Sequence, residues 1–207
     1  MIKTVALIVI TLMMAACNST GKNDNAKSNQ RKIEKSGNME KINYQKTGKI
    51  IRLDERINKI IPVDAEIEVL AGEFEWSEGP VWVSKGDYLL FSDVPENKVY
   101  KWKEGEGLSV YLEKSGYSGT DDYSNEPGSN GLMINEDNKL ILCQHGNRQL
   151  AMMTSDLDEP APVYKTLADN YNGKKLNSPN DLDIYKDGSI YFTDPPYGLP
   201  GRADSDI

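Results

Sequence analysis

Short runs of apolar residues recur from residue 50 to the end of the chain, and turn-forming residues separate them. The runs are rich in Val, Ile, Leu, Tyr and Trp, whereas Gly, Asn, Asp and Pro lie between them. No long stretch shows the roughly 3.6-residue apolar period of an amphipathic helix. The pattern predicts an all-β chain with strands at residues 67–70, 81–83, 88–92, 99–102, 109–112, 132–135, 140–143, 149–153, 163–167, 182–185 and 190–193.

Three of the predicted turns contain residues that tolerate a positive φ angle. These turns are Lys85-Gly86-Asp87, Asp137-Asn138 and Asp187-Gly188. Gly, Asn and Asp adopt the left-handed conformation at low cost, so they are common in tight connections between antiparallel strands. We therefore predict β-hairpins at these positions.

One pattern of polar turn and hairpin recurs along the chain. Its copies begin at Glu78-Gly-Pro-Val-Trp-Val, Asn130-Gly-Leu-Met-Ile-Asn and Asn180-Asp-Leu-Asp-Ile-Tyr, and their first residues lie 52 and 50 positions apart. Four strands in about 50 residues form the unit of a β-propeller blade. A β-sandwich also contains many short strands, but it would not be expected to repeat one pattern at one spacing. The repeat therefore predicts a β-propeller.

The number of copies predicts an incomplete ring. Two units are complete and the third ends after its second strand, so the chain holds about two and a half blades, whereas propellers typically close with about 4–8. We expect the strand at 67–70 to complete the last blade of a closed ring. The sequence is therefore expected to be C-terminally truncated.

The amino terminus predicts export and lipidation. A short positive start precedes the apolar run 5–16, which would span only about 18 Å as a helix, well short of a bilayer core of about 30 Å. The run reads as a signal peptide, and Ala15-Ala16-Cys17 resembles a bacterial lipobox, so Cys17 is the expected lipidation site. An ordinary signal with a chance cysteine is the alternative. Asn18 follows the cysteine, and its resemblance to lipoprotein sorting patterns implies the outer membrane of the cell envelope.

Charge separates a basic segment from an acidic body. Residues 18–49 contain eight Lys or Arg and three Asp or Glu, a net charge of +5, and few large apolar residues, so we predict a flexible tether over 17–49. Residues 50–207, the predicted partial propeller, carry −14. The tether charge either faces an anionic lipid surface or simply solvates the segment.

The overall composition argues against nucleic-acid binding and against an internal disulfide. The 207 residues carry a net charge of −8, which argues against nucleic-acid binding because that function needs a basic face. Only Cys143 follows Cys17, so a mature lipoprotein could form no internal disulfide.

The three copies of the repeat place Glu78, Asn130 and Asn180 at one equivalent position. In a propeller these residues would precede the innermost strands and converge at the mouth of the central channel. One carboxylate and two amide carbonyls offer oxygen ligands, which suit a hard cation such as Ca²⁺ and suit zinc poorly. Each motif taken alone is also an ordinary turn sequence.

Longer motifs surround these positions: Ser77-Glu78-Gly79-Pro80-Val81-Trp82, Leu90-Phe91-Ser92-Asp93-Val94-Pro95, Ser129-Asn130-Gly131, Gln144-His145-Gly146-Asn147-Arg148, Leu176-Asn-Ser-Pro-Asn-Asp181 and Tyr191-Phe-Thr-Asp-Pro-Pro-Tyr-Gly198. Over roughly residues 66–201 they resemble the gluconolactonase/regucalcin family, especially its bacterial gluconolactonase-like branch. The resemblance implies a six-bladed propeller with one divalent cation, usually calcium, that hydrolyses sugar lactones or related esters. It implies that Glu78 and Asn180 are direct metal ligands and that Asn130 lies at the metal or the substrate. A further aspartate ligand of the family has no counterpart in this sequence.

The implied reaction is attack of water on a lactone carbonyl that the metal polarises. The resemblance favours as the base the aspartate that has no counterpart here, which leaves His145, Asp181 and Asp194 as the local candidates. Asn130, His145 and Asp181 are the candidate catalytic residues, and Asn130, His145 and Asp194 are the candidate substrate contacts. His145 could instead line the pocket or shape a hairpin, and Asp194 could instead fix a strand end.

Two further features could shape a substrate site. The strand-free connection 114–129 leads directly into Asn130, so it is either a lid or substrate rim or a mobile excursion. Trp76 and Trp82 flank Glu78 and could stack on a sugar ring or pack in the fold.

Three classes of function remain open. The first is a calcium-dependent lactone hydrolase that is anchored to the bilayer, and the second is a non-catalytic propeller that binds a sugar or a protein. The third is an inactive fragment of such a hydrolase.

Overall fold

A computed structural model of the chain describes residues 42–202. The predicted signal peptide, the predicted lipidation site Cys17 and most of the predicted tether lie outside the described residues. Within the described range, no helix is long and apolar enough to cross a membrane.

The chain divides into two compact units between Leu70 and Ala71. In the described part of the first unit, β1 (Gln45–Lys46) pairs with β2 (Glu68–Val69) in antiparallel register, and a short 3₁₀ helix spans Glu55–Lys59. Thus residues 45–46, which the sequence assigns to the tether, form a strand. The strand predicted at 67–70 is present as β2 with β1 as its partner, and its place in a last blade stays a prediction.

The second unit contains two four-stranded antiparallel sheets. The first consists of β3 (Ser77–Val83), β4 (Tyr88–Asp93), β5 (Lys98–Lys103) and β6 (Gly107–Glu113) in that spatial order. The second consists of β7 (Ser129–Ile134), β8 (Leu140–Gln144), β9 (Gln149–Met153) and β10 (Tyr164–Ala168), again in chain order. Each sheet is a meander of consecutive strands, as in a propeller blade.

Two hairpins follow the second sheet. The pair β11 (Asn170–Tyr171) and β12 (Lys174–Lys175) was not predicted, whereas β13 (Leu182–Ile184) and β14 (Ile190–Phe192) form the predicted start of a third blade. Residues Asn172 and Gly173 both have positive φ, of 50° and 80°, so the Asn-Gly dipeptide was a readable signal for the missed hairpin.

The three predicted turns adopt the expected backbone. Asp87, Asn138 and Gly188 have φ angles of 57°, 60° and 86°. The hairpins predicted at these positions are therefore confirmed.

Strand β8 is buried on both faces because it lies between two hydrophobic clusters. Leu140 and Leu142 belong to a cluster shared with the first sheet, and Ile141 and Cys143 belong to a cluster shared with β13. Successive side chains of a strand point to opposite faces, so one strand joins both clusters. Cys143 is a free, fully buried cysteine, and burial raises the pKa of its thiol.

The first strands of the sheets lie side by side. β7 packs against β3 on one side and against β13 on the other. This sequence of inner strands, with one hydrophobic cluster between each pair of sheets, is the arrangement of consecutive propeller blades. The predicted all-β propeller fold is confirmed for the part of the chain that the structure describes.

Candidate functional site

The backbones of the three inner strands meet at the repeated polar positions. The amide of Gly131, which follows Asn130, donates a hydrogen bond to the carbonyl of Asn180 at 2.7 Å. A Cβ atom built on Gly79, which follows Glu78, would lie 2.1 Å from the carbonyl oxygen of Asn130. Only glycine permits such close approach of two backbones. The segments that carry Glu78, Asn130 and Asn180 are therefore neighbours.

Glu78 and Asn130 lie at equivalent irregularities in the pairing of their strands. The pairing of β3 with β4 shifts register between Glu78 and Val81, and the pairing of β7 with β8 shifts between Ser129 and Leu132. A β-bulge changes the direction in which side chains point and is common beside functional sites. The repeat therefore includes the same local distortion in both complete blades.

The side chains at the three positions differ in their surroundings. Glu78 is half-buried, and its Oε1 accepts a hydrogen bond from Trp76 Nε1 at 3.1 Å. Asn130 is buried and Asn180 is half-buried. None of the hydrogen bonds among residues 42–202 uses the side-chain amide of either asparagine. Their oxygens are thus available to a ligand.

The donor set at this position fits a hard cation. Glu78, Asn130 and Asn180 offer one carboxylate and two amide oxygens, which are of the kind that bind Ca²⁺. Elsewhere in the described residues, no group of three or more His, Cys, Asp or Glu side chains could hold a metal ion. The metal site predicted from the repeat stays a prediction, and the close approach of the three strands is compatible with it.

A buried serine pair fixes Asn130 from the neighbouring blade. Ser92 Oγ lies 2.9 Å from the carbonyl oxygen of Asn130, to which it donates, and 2.8 Å from Ser129 Oγ. Both hydroxyls are fully buried. Sequence reasoning missed this pair, because nothing in the local motif indicates a contact between two blades.

His145 is enclosed between two loops. Its Nδ1 lies 3.3 Å from the carbonyl of Glu126, and because a carbonyl only accepts, Nδ1 carries the proton of the neutral ring. A Cβ built on Gly198 would lie 2.5 Å from His145 Cβ, so this glycine packs directly on the side chain. Burial lowers the pKa of His145 to about 4, against the opposite effect of the Glu126 hydrogen bond. Nε2 is buried without a hydrogen-bond partner among the described residues.

The two predicted aspartates occupy different environments. Asp181 is exposed, directly follows Asn180, and its Oδ1 accepts a hydrogen bond from the amide of Leu182 at 2.9 Å. Asp194 is half-buried two residues after β14, where its Oδ2 accepts from the amide of Asn177 at 2.7 Å. Burial raises the pKa of Asp194. The structure thus brings Asp181 beside the inner strands, whereas Asp194 braces a loop.

Hydrogen bonds hold the connection 114–129 in place near both of its ends. Asn97 accepts from the amides of Gly116 and Tyr117 at 2.8 and 3.1 Å, and the amide of Gly128 donates to the carbonyl of Val94 at 2.9 Å. These contacts argue against a mobile excursion, and the role of the connection as a lid or substrate rim stays a prediction. Within the connection, the rings of Tyr117 and Tyr123 stack with centroids 4.9 Å apart.

Trp76 and Trp82, the two tryptophans that flank Glu78, are both partly exposed to solvent. Trp76 is 44% exposed and contacts Glu78, while Trp82 is 38% exposed. Trp76 is therefore the tryptophan that lies beside the candidate ligand.

Comparison with known proteins gives a consistent result. Residues 76–205 match the SMP-30/Gluconolactonase/LRE-like region. The chain is 38% identical over 203 residues to a gluconolactonase of Zymomonas mobilis subsp. mobilis, which covers 97% of this chain and 52% of that protein.

Solved structures show the same similarity. A gluconolactonase from Xanthomonas campestris is 30% identical with a TM-score of 0.60, covering 74% of this chain and 48% of that one. A putative gluconolactonase is 32% identical with a TM-score of 0.61, covering 75% and 50%. The chain spans about half the length of these relatives.

Proposed function

Because the chain belongs to the SMP-30/gluconolactonase/LRE-like family, we propose that it contributes to the hydrolysis of a sugar lactone with a bound divalent cation. The observation that carries the proposal is the meeting of three inner strands at Glu78, Asn130 and Asn180. The relatives that are gluconolactonases support the substrate class.

Calcium is the proposed cation, and the side-chain oxygens of Glu78, Asn130 and Asn180 would hold it. When bound there, it would polarise the lactone carbonyl and stabilise the oxyanion that forms as water attacks. Two hydrogen bonds support this arrangement. Trp76 Nε1 donates to the Glu78 side chain at Oε1, and Ser92 Oγ donates to the backbone carbonyl of Asn130 and so fixes the strand that carries its side chain.

Asp181 is the proposed base. It is exposed and adjacent to Asn180, and Leu182 engages only its Oδ1, so Oδ2 is available to accept a proton from water. In the reaction, water oxygen bonds to the carbonyl carbon, the ring C–O bond breaks, and the proton passes to the departing ring oxygen. His145 is buried, and its low pKa makes it a weak base, so we assign it a positioning role.

A sugar-binding role without catalysis is the second candidate. The stacked Tyr117 and Tyr123 rings on the loop before Asn130 favour it, because aromatic surfaces commonly contact ligands. Binding of gluconolactone with no release of acid would support this alternative over hydrolysis.

Calcium titration and lactone turnover test the proposal directly. We expect calorimetry to detect calcium binding, and we expect acid release from gluconolactone to stop when a chelator is added. Glu78→Gln should lose both, because Glu78 is the charged member of the three proposed ligands. Glu136→Gln is the matched control, since Glu136 is exposed in the turn between β7 and β8. Calcium-independent turnover, or equal behaviour of the two variants, would contradict the proposed site.

We also propose a lipid anchor on Cys17 and a location in the cell envelope, at the outer membrane. The basis is the apolar run 5–16 followed by Ala15-Ala16-Cys17. Radioactive palmitate should label the wild type in its host cell, and Cys17→Ser should abolish the label. Labelling that survives this substitution would rule out the anchor.

A further inference from the structure

A polar residue at the end of the second strand, or just beyond it, occupies an equivalent place in all three repeats. Asp93 ends β4 and Gln144 ends β8, opposite Ser77 and Ser129, the residues directly before Glu78 and Asn130. Asp194 follows Thr193, whose carbonyl accepts from the amide of Asn180. These three residues, which we term the brace residues, are 51 and 50 positions apart.

In the first repeat, Asp93 holds the approach to Glu78. Its two carboxylate oxygens accept hydrogen bonds from the amides of Glu75 at 3.2 Å and Trp76 at 3.1 Å. The side chain is only 1% exposed. A buried carboxylate that accepts backbone hydrogen bonds makes strong, charge-assisted contacts. The chain is therefore fixed two residues before the candidate ligand.

In the third repeat, Asp194 acts in the same way. Its Oδ2 accepts from the amide of Asn177 at 2.7 Å, and Asn177 Nδ2 donates back to the Asp194 carbonyl at 3.0 Å. This fixes the loop three residues before Asn180. A second aspartate thus makes the same kind of contact in a different blade.

In the second repeat, the hydrogen bond runs in the opposite direction. Gln144 Nε2 donates to the carbonyl of Ser115 at 2.7 Å, and Ser115 Oγ in turn accepts from the amide of Ser129 at 3.1 Å. An amide can donate where a carboxylate cannot. The residue type in each repeat therefore follows the backbone group that it must bind, an N–H for Asp and a C=O for Gln.

We propose that Asp93, Gln144 and Asp194 are positioning residues, each of which holds the segment leading into an inner strand so that Glu78, Asn130 and Asn180 point at a common ligand. This inference rests on the proposed function, because it takes calcium as that ligand. Groups that orient metal ligands typically change metal affinity by about 10–100-fold when removed.

The test compares isosteric variants in the full chain. Asp93→Asn presents an amide nitrogen to a backbone N–H, and Gln144→Glu loses the donor to Ser115, so each removes one hydrogen bond at nearly constant shape. Asp87→Asn is the matched control, because Asp87 is exposed in the turn at the opposite end of the first sheet. Calcium affinity is measured by calorimetry, and hydrogen exchange of residues 74–80 and 115–130 is measured without calcium.

We expect Asp93→Asn and Gln144→Glu to weaken calcium binding by about 10–100-fold. We also expect faster exchange at 74–80 in the first variant and at 115–130 in the second. Asp87→Asn should leave both readouts unchanged. If exchange is faster but calcium affinity equals that of the wild type, the brace residues are purely structural and the inference is overturned. The proposed metal site would not be contradicted by that result. Absence of calcium binding in the wild type would overturn both. If Asp93→Asn does not fold, Gln144→Glu decides the question in the other blade.

Discussion

The amide of Gly131 donates to the carbonyl of Asn180 at 2.7 Å, which joins the second and third inner strands at their polar ends. A Cβ on Gly131 would lie 2.9 Å from the same carbonyl oxygen. The glycine that follows each of the first two candidate ligands thus lets the next strand approach. The position of the site depends on backbone contact as much as on the ligand side chains.

Replacing Gly79 with alanine should disrupt this contact. Gly79 has a φ of +55°, and its new Cβ would lie 2.1 Å from the Asn130 carbonyl oxygen. We expect Gly79→Ala to lower the free energy of unfolding by about 1–3 kcal/mol. Urea denaturation measures the change. Gly72→Ala is the control, because a Cβ there would meet no atom within 4 Å among the described residues. Equal losses in both variants would refute the close-approach interpretation.

Removal of the Ser92 hydroxyl should loosen the junction between the two blades. Ser92→Ala leaves the buried Asn130 carbonyl and the Ser129 hydroxyl without this hydrogen bond. We expect a loss of about 1–3 kcal/mol in the free energy of unfolding. Ser84→Ala serves for comparison, since Ser84 is exposed, and it should change stability very little. If Ser92→Ala leaves the free energy of unfolding unchanged, the serine pair contributes no net stability.

His145 should make folding sensitive to acid. Burial lowers its pKa to about 4 in the folded state, whereas its usual value is about 6.5. As the pH falls from about 6.5 to about 4, the unfolded chain binds a proton that the folded chain excludes. The free energy of unfolding therefore falls, by about 3 kcal/mol at most, as the pH falls through this range.

Denaturation of the wild type and His145→Gln at about pH 7 and about pH 4 isolates this contribution. The difference in stability between the two pH values should be smaller in the variant. Carboxylates common to both proteins affect both differences equally. An unchanged difference would show that the ring does not titrate with a lowered pKa.

Calcium should raise the thermal stability of the chain if the proposed metal site is right. A ligand at about 100 times its dissociation constant adds about 2.7 kcal/mol to the folded state. We expect scanning calorimetry to record a higher melting temperature with calcium and a return to the starting value with chelator. Asn180→Ala should remove the increase, whereas Asn138→Ala, in the distant β7–β8 turn, should retain it. A shift of equal size in both variants would place calcium elsewhere.

The strands and the blade order could be predicted from the sequence because they depend on local patterns. Short runs rich in Val, Ile, Leu, Tyr and Trp predicted the strands, and residues such as Asn138 and Gly188 marked the turns. The hairpin at Asn172-Gly173 was missed although its turn signal was present, because its flanking strands contain only two residues each and show no apolar alternation. Short strands that lack a buried face leave little trace in a sequence.

The details of the candidate site could be predicted only in part. The equivalence of Glu78, Asn130 and Asn180 follows from the repeat, but the bulge at each of the first two depends on pairing register. The Ser92 to Asn130 hydrogen bond depends on how two blades pack. The burial of His145 depends on Gly198, which lies 53 positions further along the chain. Such contacts between distant segments are set by tertiary structure.

The burial of Cys143 gives the protein a built-in probe of blade separation. Its side chain belongs to the cluster between the second sheet and β13, and it is fully buried. In a Cys17→Ser chain it is the remaining thiol of the sequence. A thiol reagent can then react only when the third blade lifts away from the second or the whole unit unfolds. The labelling rate, compared with the rate of global unfolding, would report whether neighbouring blades open separately or as one.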